Sequence, residues 1–209
     1  MCNQQTLVFA RANDYFFGIL HSRFHEIWAL KLGTRLETRP RYTPTTCFET
    51  FPLPQPTPEQ EAAIAGAAKE LNELRERWLN PPEWTKETIL EFPGSADGPW
   101  ARYVVKPDKN GIGTVRYPRL EPKDTDCAEK LKDRTLTKLY NERPTWLDLA
   151  HKKLDSAVAA AYGFPADLTD EQILERLLKL NLERAAAETK AARVTKPKTS
   201  RAKQADEML

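Results

Sequence analysis

The chain has 209 residues, enough for one domain or two small ones with a hydrophobic core. Hydrophobic residues make up 40% of it and charged residues 30%, and no apolar run approaches the roughly 20 residues that cross a bilayer. A membrane-spanning function is therefore excluded. The start lacks the pattern of a secretory signal, and Cys2, Cys47 and Cys127 have no metal-type spacing. We expect a reducing, cytoplasmic compartment.

The net charge of +2 conceals a basic C-terminal tail. Residues 189–203 carry six lysines and arginines and no acid, so this segment contributes +6 and the rest of the chain −4. Its small and polar side chains have little apolar surface to bury, which predicts disorder. Such a tail either holds phosphates without reading sequence or is a solvated end without a partner, and the sequence leaves both alternatives open.

The first predicted elements are a strand over Gln5–Ala10 and a helix from about Asp14 to Leu32. Asn13 is suited to cap this helix, and Gly33 follows its last periodic residue. The segment 34–58 then contains six prolines, a density that rules out a helix and permits only extended pieces.

Thr57 and Gln60 have the spacing of a capping box, which predicts a helix from there to about Leu79. The next residues are Asn80-Pro81-Pro82-Glu83-Trp84. Asn-Pro-Pro forms most of the catalytic motif of many amino-methyltransferases, in which a strand precedes the motif and an aromatic fourth residue stacks on the flipped base. Here a charged amphipathic helix precedes it and the fourth residue is Glu83. We therefore interpret the segment as a helix stop.

The second half of the chain is predicted to hold one hairpin and three helices. Trp100–Val105 and Gly113–Pro118 flank an Asn-Gly turn, which indicates a two-stranded hairpin. Helical patterns follow from about Asp124 to Asn141, from Thr145 to Tyr162 and from Thr169 onward. The last two helices are expected to form an antiparallel pair. The residues expected to meet across it are Leu149, Leu154, Val158 and Tyr162 on one helix and Ile173, Leu174, Leu177, Leu178 and Leu182 on the other.

Three blocks of the chain together resemble a known family. They are residues 15–33 (YFFGILHSRFHEIWALKLG), residues 40–54 (PRYTPTTCFETFPLP) and residues 134–185, beginning RTLTKLYNERPTW. In this order they resemble the C-terminal part of class I S-adenosylmethionine-dependent DNA methyltransferases, the large adenine-modifying enzymes of restriction-modification and phage-defence systems. The full enzymes carry a cofactor-binding fold and an Asn-Pro-Pro-aromatic motif upstream. This chain has neither, so we expect it to be inactive alone.

The resemblance implies a fold class and a domain order. We expect a mainly α fold with a small β-hairpin and no Rossmann-like methyltransferase core. Residues 1–57 are expected to end a target-recognition domain with a proline-rich, DNA-facing loop. Residues 58–188 are expected to form a helical C-terminal domain with a hairpin insertion near 98–118, and residues 189–209 a basic disordered tail.

The function that the resemblance implies is orientation of an adenine-specific methyltransferase on double-stranded DNA. The expected partners are DNA and a methyltransferase catalytic domain or subunit. S-adenosylmethionine is expected to bind the parent enzyme or catalytic partner and not this chain. The alternative is a non-catalytic remnant that acts as a protein-docking or structural helical module.

The residues expected to contact DNA lie in the proline-rich segment. In the family, the helix pattern at Ser22, His25 and Trp28 supports the loop that follows, and an Arg-Tyr-Thr segment lies where the recognition domain approaches DNA. Independently, arginine forks match guanine O6 and N7 in the major groove, and threonine hydroxyls suit phosphates or bases. The predicted DNA-binding residues are Arg39, Arg41, Tyr42, Thr43, Thr45 and Thr46. The alternative is that both arginines only solvate the loop.

Two other clusters carry no predicted chemistry. His21 and His25 are four residues apart, a spacing that zinc sites use, but no third ligand is evident and no metal is predicted. Asp148, His151 and Asp155 recur on one helix without a nucleophile or an evident pocket. We interpret these three as a solvated helix face.

Overall fold

The structure is a computed structural model that describes residue 11, residues 13–36 and residues 39–195, without the side chains of residues 36 and 191–195. These residues form seven α-helices and two small antiparallel sheets. The predicted fold class, mainly α with a small β part, is confirmed. Across the described ranges every strand pairing is antiparallel, unlike the parallel sheet of a Rossmann-like core. The predicted strand Gln5–Ala10 and the predicted tail after residue 195 lie outside the described residues.

The chain divides into two compact units. The first comprises residues 1–65 and 154–209, and the second comprises residues 66–153. The domain boundaries predicted after residues 57 and 188 do not coincide with this division. The units instead divide within two helices, Pro58–Leu79 and Thr145–Tyr162. Those domain boundaries stay predictions.

The first unit begins with two helices where one was predicted. Helix α1 is Asp14–His21 and helix α2 is Arg23–Leu32, with an extended residue, Ser22, between them. The predicted cap is confirmed, since the Asn13 side chain accepts from the Phe16 amide at 2.7 Å. Ser22 breaks the helix because its hydroxyl donates to the Ile19 carbonyl at 2.7 Å and its side chain caps α2.

A short ribbon and a tight turn follow α2. Strand β1 (Thr34–Leu36) pairs antiparallel with β2 (Arg39–Arg41). A π-helical turn then spans Pro44–Phe48, so the expectation that this segment holds only extended pieces is wrong. Proline is tolerated at the first position of a helical turn because its missing N–H has no partner there anyway.

Helix α3 spans Pro58–Leu79 and begins and ends as predicted. Its capping box is confirmed: the Thr57 amide donates to Gln60 Oε1 at 2.9 Å, and the Gln60 amide donates to Thr57 Oγ1 at 3.3 Å. Asn80 comes directly after its last residue, as expected of a helix stop. Residues buried on its inner stripe are Ile64, Ala67, Ala68, Leu71 and Arg75.

The sheet of the second unit is larger than the predicted hairpin. Strands β3 (Thr85–Ser95), β4 (Val104–Val105) and β5 (Ile112–Pro122) form it in the order β3-β5-β4. The predicted strand at 100–105 is mostly wrong, because Ala101–Tyr103 forms a 3₁₀ turn. The main partner of β5 is β3, paired from Thr85 opposite Pro122 to Ser95 opposite Ile112. The β insertion therefore spans 85–122 and not 98–118.

Helical structure resumes after the sheet. The single helix predicted over 124–141 is divided into α4 (Thr125–Lys132) and α5 (Leu136–Glu142), because Asp124 and Thr135 each cap a new start. Helix α6 (Thr145–Tyr162) is as predicted and ends at Gly163, which has a φ of +68°.

Helix α7 spans Asp170–Thr195, with the predicted capping box between Thr169 and Gln172. The helix continues to residue 195, past residue 189, where the disordered tail was predicted to begin. Three residues expected in the contact between the last two helices are instead exposed, because the 3.6-residue period turns them away from the buried stripe. These are Leu149, Leu178 and Leu182, whereas Leu154, Val158, Ile173 and Leu177 are buried.

Candidate nucleic-acid interface

Arg39 and Arg41 lie on the same face of β2 and are both exposed. The register places Arg41 opposite Thr34 and Arg39 opposite residue 36, and alternate residues of a strand point the same way. Arg35 lies opposite Pro40, so it is on the other face. Neither Arg39 nor Arg41 has an ion-pair partner among the residues that the structure describes. Two guanidinium groups are thus presented side by side.

Strand β2 lies against the C-terminal end of α2, and Gly33 permits this close approach. A Cβ at Gly33 would lie 2.5 Å from the Ala29 carbonyl oxygen and 3.0 Å from that of Arg41. Both neighbours are backbone atoms, which cannot rotate away. Beneath them, the buried Cys47 places its Sγ 3.7 Å from the Ala29 carbonyl oxygen. The position of Arg41 is therefore fixed from the backbone side.

The Tyr42 side chain points inward. Its Oη lies 2.9 Å from Nε2 of His25, a residue that is 4% exposed. Burial lowers the pKa of His25 to about 4, so its imidazole is neutral at pH 7. Burial, reinforced by Cys47, raises the pKa of Tyr42 to about 12. The two groups form a neutral hydrogen bond between α2 and the residue after β2.

The predicted threonines divide into internal and exposed ones. Thr43 Oγ1 lies 3.2 Å from Thr34 Oγ1, and Thr46 Oγ1 donates to the Thr43 carbonyl at 3.5 Å. Thr45 is exposed, and its hydroxyl makes no hydrogen bond within the described part of the chain. Of the six predicted residues, the structure thus presents Arg39, Arg41 and Thr45 to solvent, and it engages the hydroxyls of the other three.

Ser22, His25 and Trp28 lie beneath this loop, with exposures of 0%, 4% and 1%. Trp28 Nε1 donates to Thr50 Oγ1 at 3.3 Å, and that hydroxyl donates to the Thr46 carbonyl at 2.6 Å. The Phe51 ring packs edge-on against His25 with centroids 4.6 Å apart. His25 and Trp28 therefore contact the loop directly, whereas Ser22 is hydrogen-bonded to Ile19 and to the His25 amide.

Three supporting residues were not predicted from the sequence. Asn181 Nδ2 donates to the Thr50 carbonyl at 2.6 Å, Tyr162 Oη to the Pro52 carbonyl at 2.9 Å, and Arg184 Nη1 to the Leu53 carbonyl at 2.7 Å. The prolines of the loop have no N–H and therefore keep this segment out of a regular strand ladder. Its carbonyls then need donors from side chains. Nothing local identifies donors more than 100 residues away.

The Asn-Pro-Pro segment borders a groove in the second unit. Asn80 Nδ2 donates to Glu76 Oε2 at 3.1 Å, so its amide is engaged by its own helix. The Arg134 guanidinium lies over the Trp78 and Trp84 rings, 4.5 and 4.9 Å from their centroids. The groove has a volume of about 510 Å³, and its lining includes Trp78, Pro81, Pro82, Arg134 and Trp146. The arrangement differs from a strand followed by a base-stacking aromatic residue.

The other clusters have separate structural partners. Asp155 accepts from the Arg23 amide at 2.8 Å, Asp148 accepts from Arg143 Nε at 2.5 Å, and His151 Nε2 lies 2.9 Å from Tyr140 Oη. The interpretation of these residues as a solvated face is therefore wrong for His151, which is half-buried and has its pKa lowered, chiefly by burial. No group of three or more metal-ligating side chains occurs among the described residues.

None of the helices described has both the length and the apolar character needed to cross a membrane.

Three comparisons with known proteins gave matches to this chain. Residues 1–55 match the family model "MmeI, target recognition domain". DNA methyltransferase A of Bacillus subtilis (strain 168) is 29% identical over 174 residues, which is 82% of this chain and 14% of that protein. A solved structure of the Type IIL restriction-modification enzyme MmeI in complex with DNA matches with a TM-score of 0.54 at 24% identity, over 84% of this chain and 17% of that one.

These matches confirm the resemblance to DNA methyltransferases of restriction-modification type. The structural match shows a shared fold, and the family match covers β1, β2 and the turn after them. The chain spans only 14% and 17% of the two matched proteins. Within this chain, residues 1–55 are the part that is similar to a target-recognition domain.

Proposed function

We propose that this chain, whose residues 1–55 carry the MmeI-type target-recognition sequence, reads double-stranded DNA for an adenine-specific methyltransferase. The observation that carries the proposal is the exposed pair Arg39 and Arg41 on one face of β2, inside the matched segment. The matched MmeI enzyme was solved in complex with DNA, which supports the same role here.

Arg39 and Arg41 supply the base contacts in this proposal. A guanidinium fork donates two parallel hydrogen bonds to O6 and N7 of guanine, and a good bidentate pair contributes about 1–3 kcal/mol of discrimination against another base. Residues i and i+2 of a strand are about 7 Å apart, roughly two base-pair steps, so the two side chains reach different base pairs. Thr45 adds a hydroxyl for a phosphate or base.

The remaining predicted residues position this strand. Tyr42 ties the end of β2 to His25, while Thr43 and Thr46 brace the turn that follows. Because these three hydroxyls have internal partners, we assign them to holding the arginines in place and not to direct base contacts.

Methyl transfer belongs to a catalytic domain or subunit in this proposal. That part binds S-adenosylmethionine, and this chain orients it on the DNA site. The Asn80 amide is held by Glu76 and is not counted among the catalytic groups.

Duplex binding measured by fluorescence anisotropy over a range of salt concentrations tests the proposal. The double variant Arg39→Ala/Arg41→Ala should lose most of the preference for the best duplex over a random one. Arg35→Ala is the matched control, because it removes a charge from the opposite face of the same ribbon. Arg35→Ala should lower the affinities for the best duplex and for the random duplex by the same factor, because it weakens only the salt-dependent part of binding. Equal behaviour of the two variants would rule out β2 as the base-contacting strand.

A protein-docking module is the second candidate function, and one observation favours it. The register of the larger sheet puts Ile89, Val105, Ile112 and Leu120 on one face, and these residues are 40–49% exposed. Exposed apolar patches mark interaction sites. Absence of duplex binding, together with concentration-dependent self-association lost on Ile89→Asp/Leu120→Asp in sedimentation velocity, would favour this alternative.

A further inference from the structure

We propose that the C-terminal helices belong to the DNA-reading unit, with Tyr162, Asn181 and Arg184 as its positioning residues. This inference rests on the proposed function. The three side chains hold the anchor loop, Thr50–Pro54, and through it the turn that follows Arg41. The reading unit is then discontinuous in sequence and extends far beyond residues 1–55, the segment that matches the target-recognition family.

The anchor loop needs donors from outside itself. Phe51, Pro52 and Pro54 are buried, and Pro52 and Pro54 have no N–H with which to join a strand ladder. Its one internal backbone hydrogen bond runs from the Leu53 amide to the Phe51 carbonyl at 2.9 Å. Buried carbonyls without a partner are destabilising, so the conformation of this loop depends on the donors that reach it.

Each of the three positioning residues supplies one such donor. They bind three of four consecutive carbonyls, those of Thr50, Pro52 and Leu53. Burial raises the pKa of Tyr162 far above its ordinary value, so its hydroxyl keeps the proton that it donates. Asn181 and Arg184 lie three residues apart on α7 and therefore share a face of that helix.

Thr50 connects the anchor loop to the reading strand. Its carbonyl is held by Asn181, and its hydroxyl accepts from Trp28 Nε1 and donates to the Thr46 carbonyl. Thr46 belongs to the π-helical turn that begins three residues after Arg41. A shift of Thr50 therefore moves the turn after β2, although Thr50 itself is not hydrogen-bonded to any side chain proposed to contact DNA.

A second connection reaches the start of α2. The Arg23 amide donates to Asp155 at 2.8 Å, and its guanidinium donates to Asp170 Oδ1 at 2.7 Å and to the Leu168 carbonyl at 3.0 Å. The ion pair with Asp170 is solvent-exposed and therefore weak, so the part-buried contacts of the anchor loop are the stronger test.

Tyr162→Phe and Asn181→Ala are the informative variants, because each removes one donor and leaves the DNA-facing side chains unchanged. Because Tyr162→Phe deletes a single oxygen atom, we expect it to disturb folding less than the other variants do. Leu182→Ala is the matched control on α7, because Leu182 is 60% exposed beside Asn181. A comparison of Arg184→Lys with Arg184→Ala adds a rescue test. Lysine retains a donor for the Leu53 carbonyl, whereas alanine has none.

The readout is the ratio of affinities for the preferred and a random duplex, measured well below each variant's melting temperature. Loss of one hydrogen bond to a part-buried carbonyl should lower affinity for the preferred duplex by roughly fivefold and leave affinity for the random duplex unchanged. Arg184→Lys should retain more preference than Arg184→Ala, and Leu182→Ala should match the wild type.

Two results would overturn the inference. One is a lower melting temperature with an unchanged affinity ratio, which would make the contacts purely structural. The other is an equal loss of affinity for both duplexes. Failure of the proposed function is distinguishable, because the wild-type chain would then show no duplex preference before any variant is made.

Discussion

His25 Nε2 and Tyr42 Oη lie 2.9 Å apart and join the buried face of α2 to the residue that follows Arg41. His25 Nδ1 is also buried, without a hydrogen-bond partner among the described residues. A charged imidazole would lose more solvation here than a neutral one. Protonation of His25 therefore opposes folding of the segment that carries the proposed DNA contacts.

The first prediction concerns pH. Because burial lowers the pKa of His25 to about 4, the unfolded chain binds a proton between pH 6.5 and 4 that the folded chain does not. The contribution to stability is thus complete above pH 6.5 and is lost as pH falls, by about 2 kcal/mol between pH 7 and 5. Urea unfolding at both pH values should show this loss.

His25→Gln serves as the control for that experiment, since glutamine does not titrate. The variant is expected to be less stable at pH 7 but to lack this part of the pH dependence. His151 also has a lowered pKa and contributes in the same direction, so the comparison uses the difference between wild type and variant. An identical pH dependence in both would contradict the assigned environment of His25.

Tyr42→Phe tests whether Tyr42 positions β2 or contacts bases itself. Removing its hydroxyl leaves a buried imidazole nitrogen without a partner, so the free energy of unfolding should fall by about 1–3 kcal/mol. Thr45→Ala should leave stability within about 0.5 kcal/mol, since its hydroxyl is exposed. Chemical unfolding of both variants separates the roles, and an unchanged stability for Tyr42→Phe would argue against the positioning role.

Gly33→Ala should destabilise the chain by about 1–3 kcal/mol, because its methyl group would collide with backbone at Ala29 and Arg41. Gly66→Ala is the matched control in the exposed interior of α3, where an added Cβ meets no atom within 4 Å. That change should stabilise the chain by about 0.5–1 kcal/mol. Thermal unfolding compares the two, and a neutral Gly33→Ala would mean that β2 does not pack closely on α2.

Asn80→Ala tests the Asn-Pro-Pro segment. As a helix stop, Asn80 contributes one exposed hydrogen bond, so the variant should change stability by about 1 kcal/mol or less. Together with a catalytic partner, methylation of the duplex should be unaffected. A collapse of methyl transfer with intact folding and DNA binding would assign this segment a catalytic role.

Local signals predicted the starts of α1, α3 and α7 but missed the breaks between α1 and α2 and between α4 and α5. The capping boxes at Thr57 and Thr169 involve residues three apart, so the sequence contains the whole interaction. Strand β3 was not assigned, because its pairing with β5 brings together residues as distant as Thr85 and Pro122. Pairing partners at that separation depend on tertiary structure and not on local pattern.

In the candidate site, too, some features follow from local sequence and others depend on tertiary structure. The exposed arginines of β2 follow from their sequence context, whereas the inward orientation of Tyr42 depends on a histidine of another element. The donors on α7 follow from no local rule, since Asn181 and Thr50 are 131 residues apart.

Site selection from a randomised duplex pool tests the central claim most directly. The wild-type chain and Arg35→Ala should both enrich one sequence that contains guanine, whereas Arg41→Ala should enrich a sequence relaxed at one guanine position and Arg39→Ala one relaxed at another. Enrichment of no sequence by the wild type, or of the same sequence by every variant, would contradict the account.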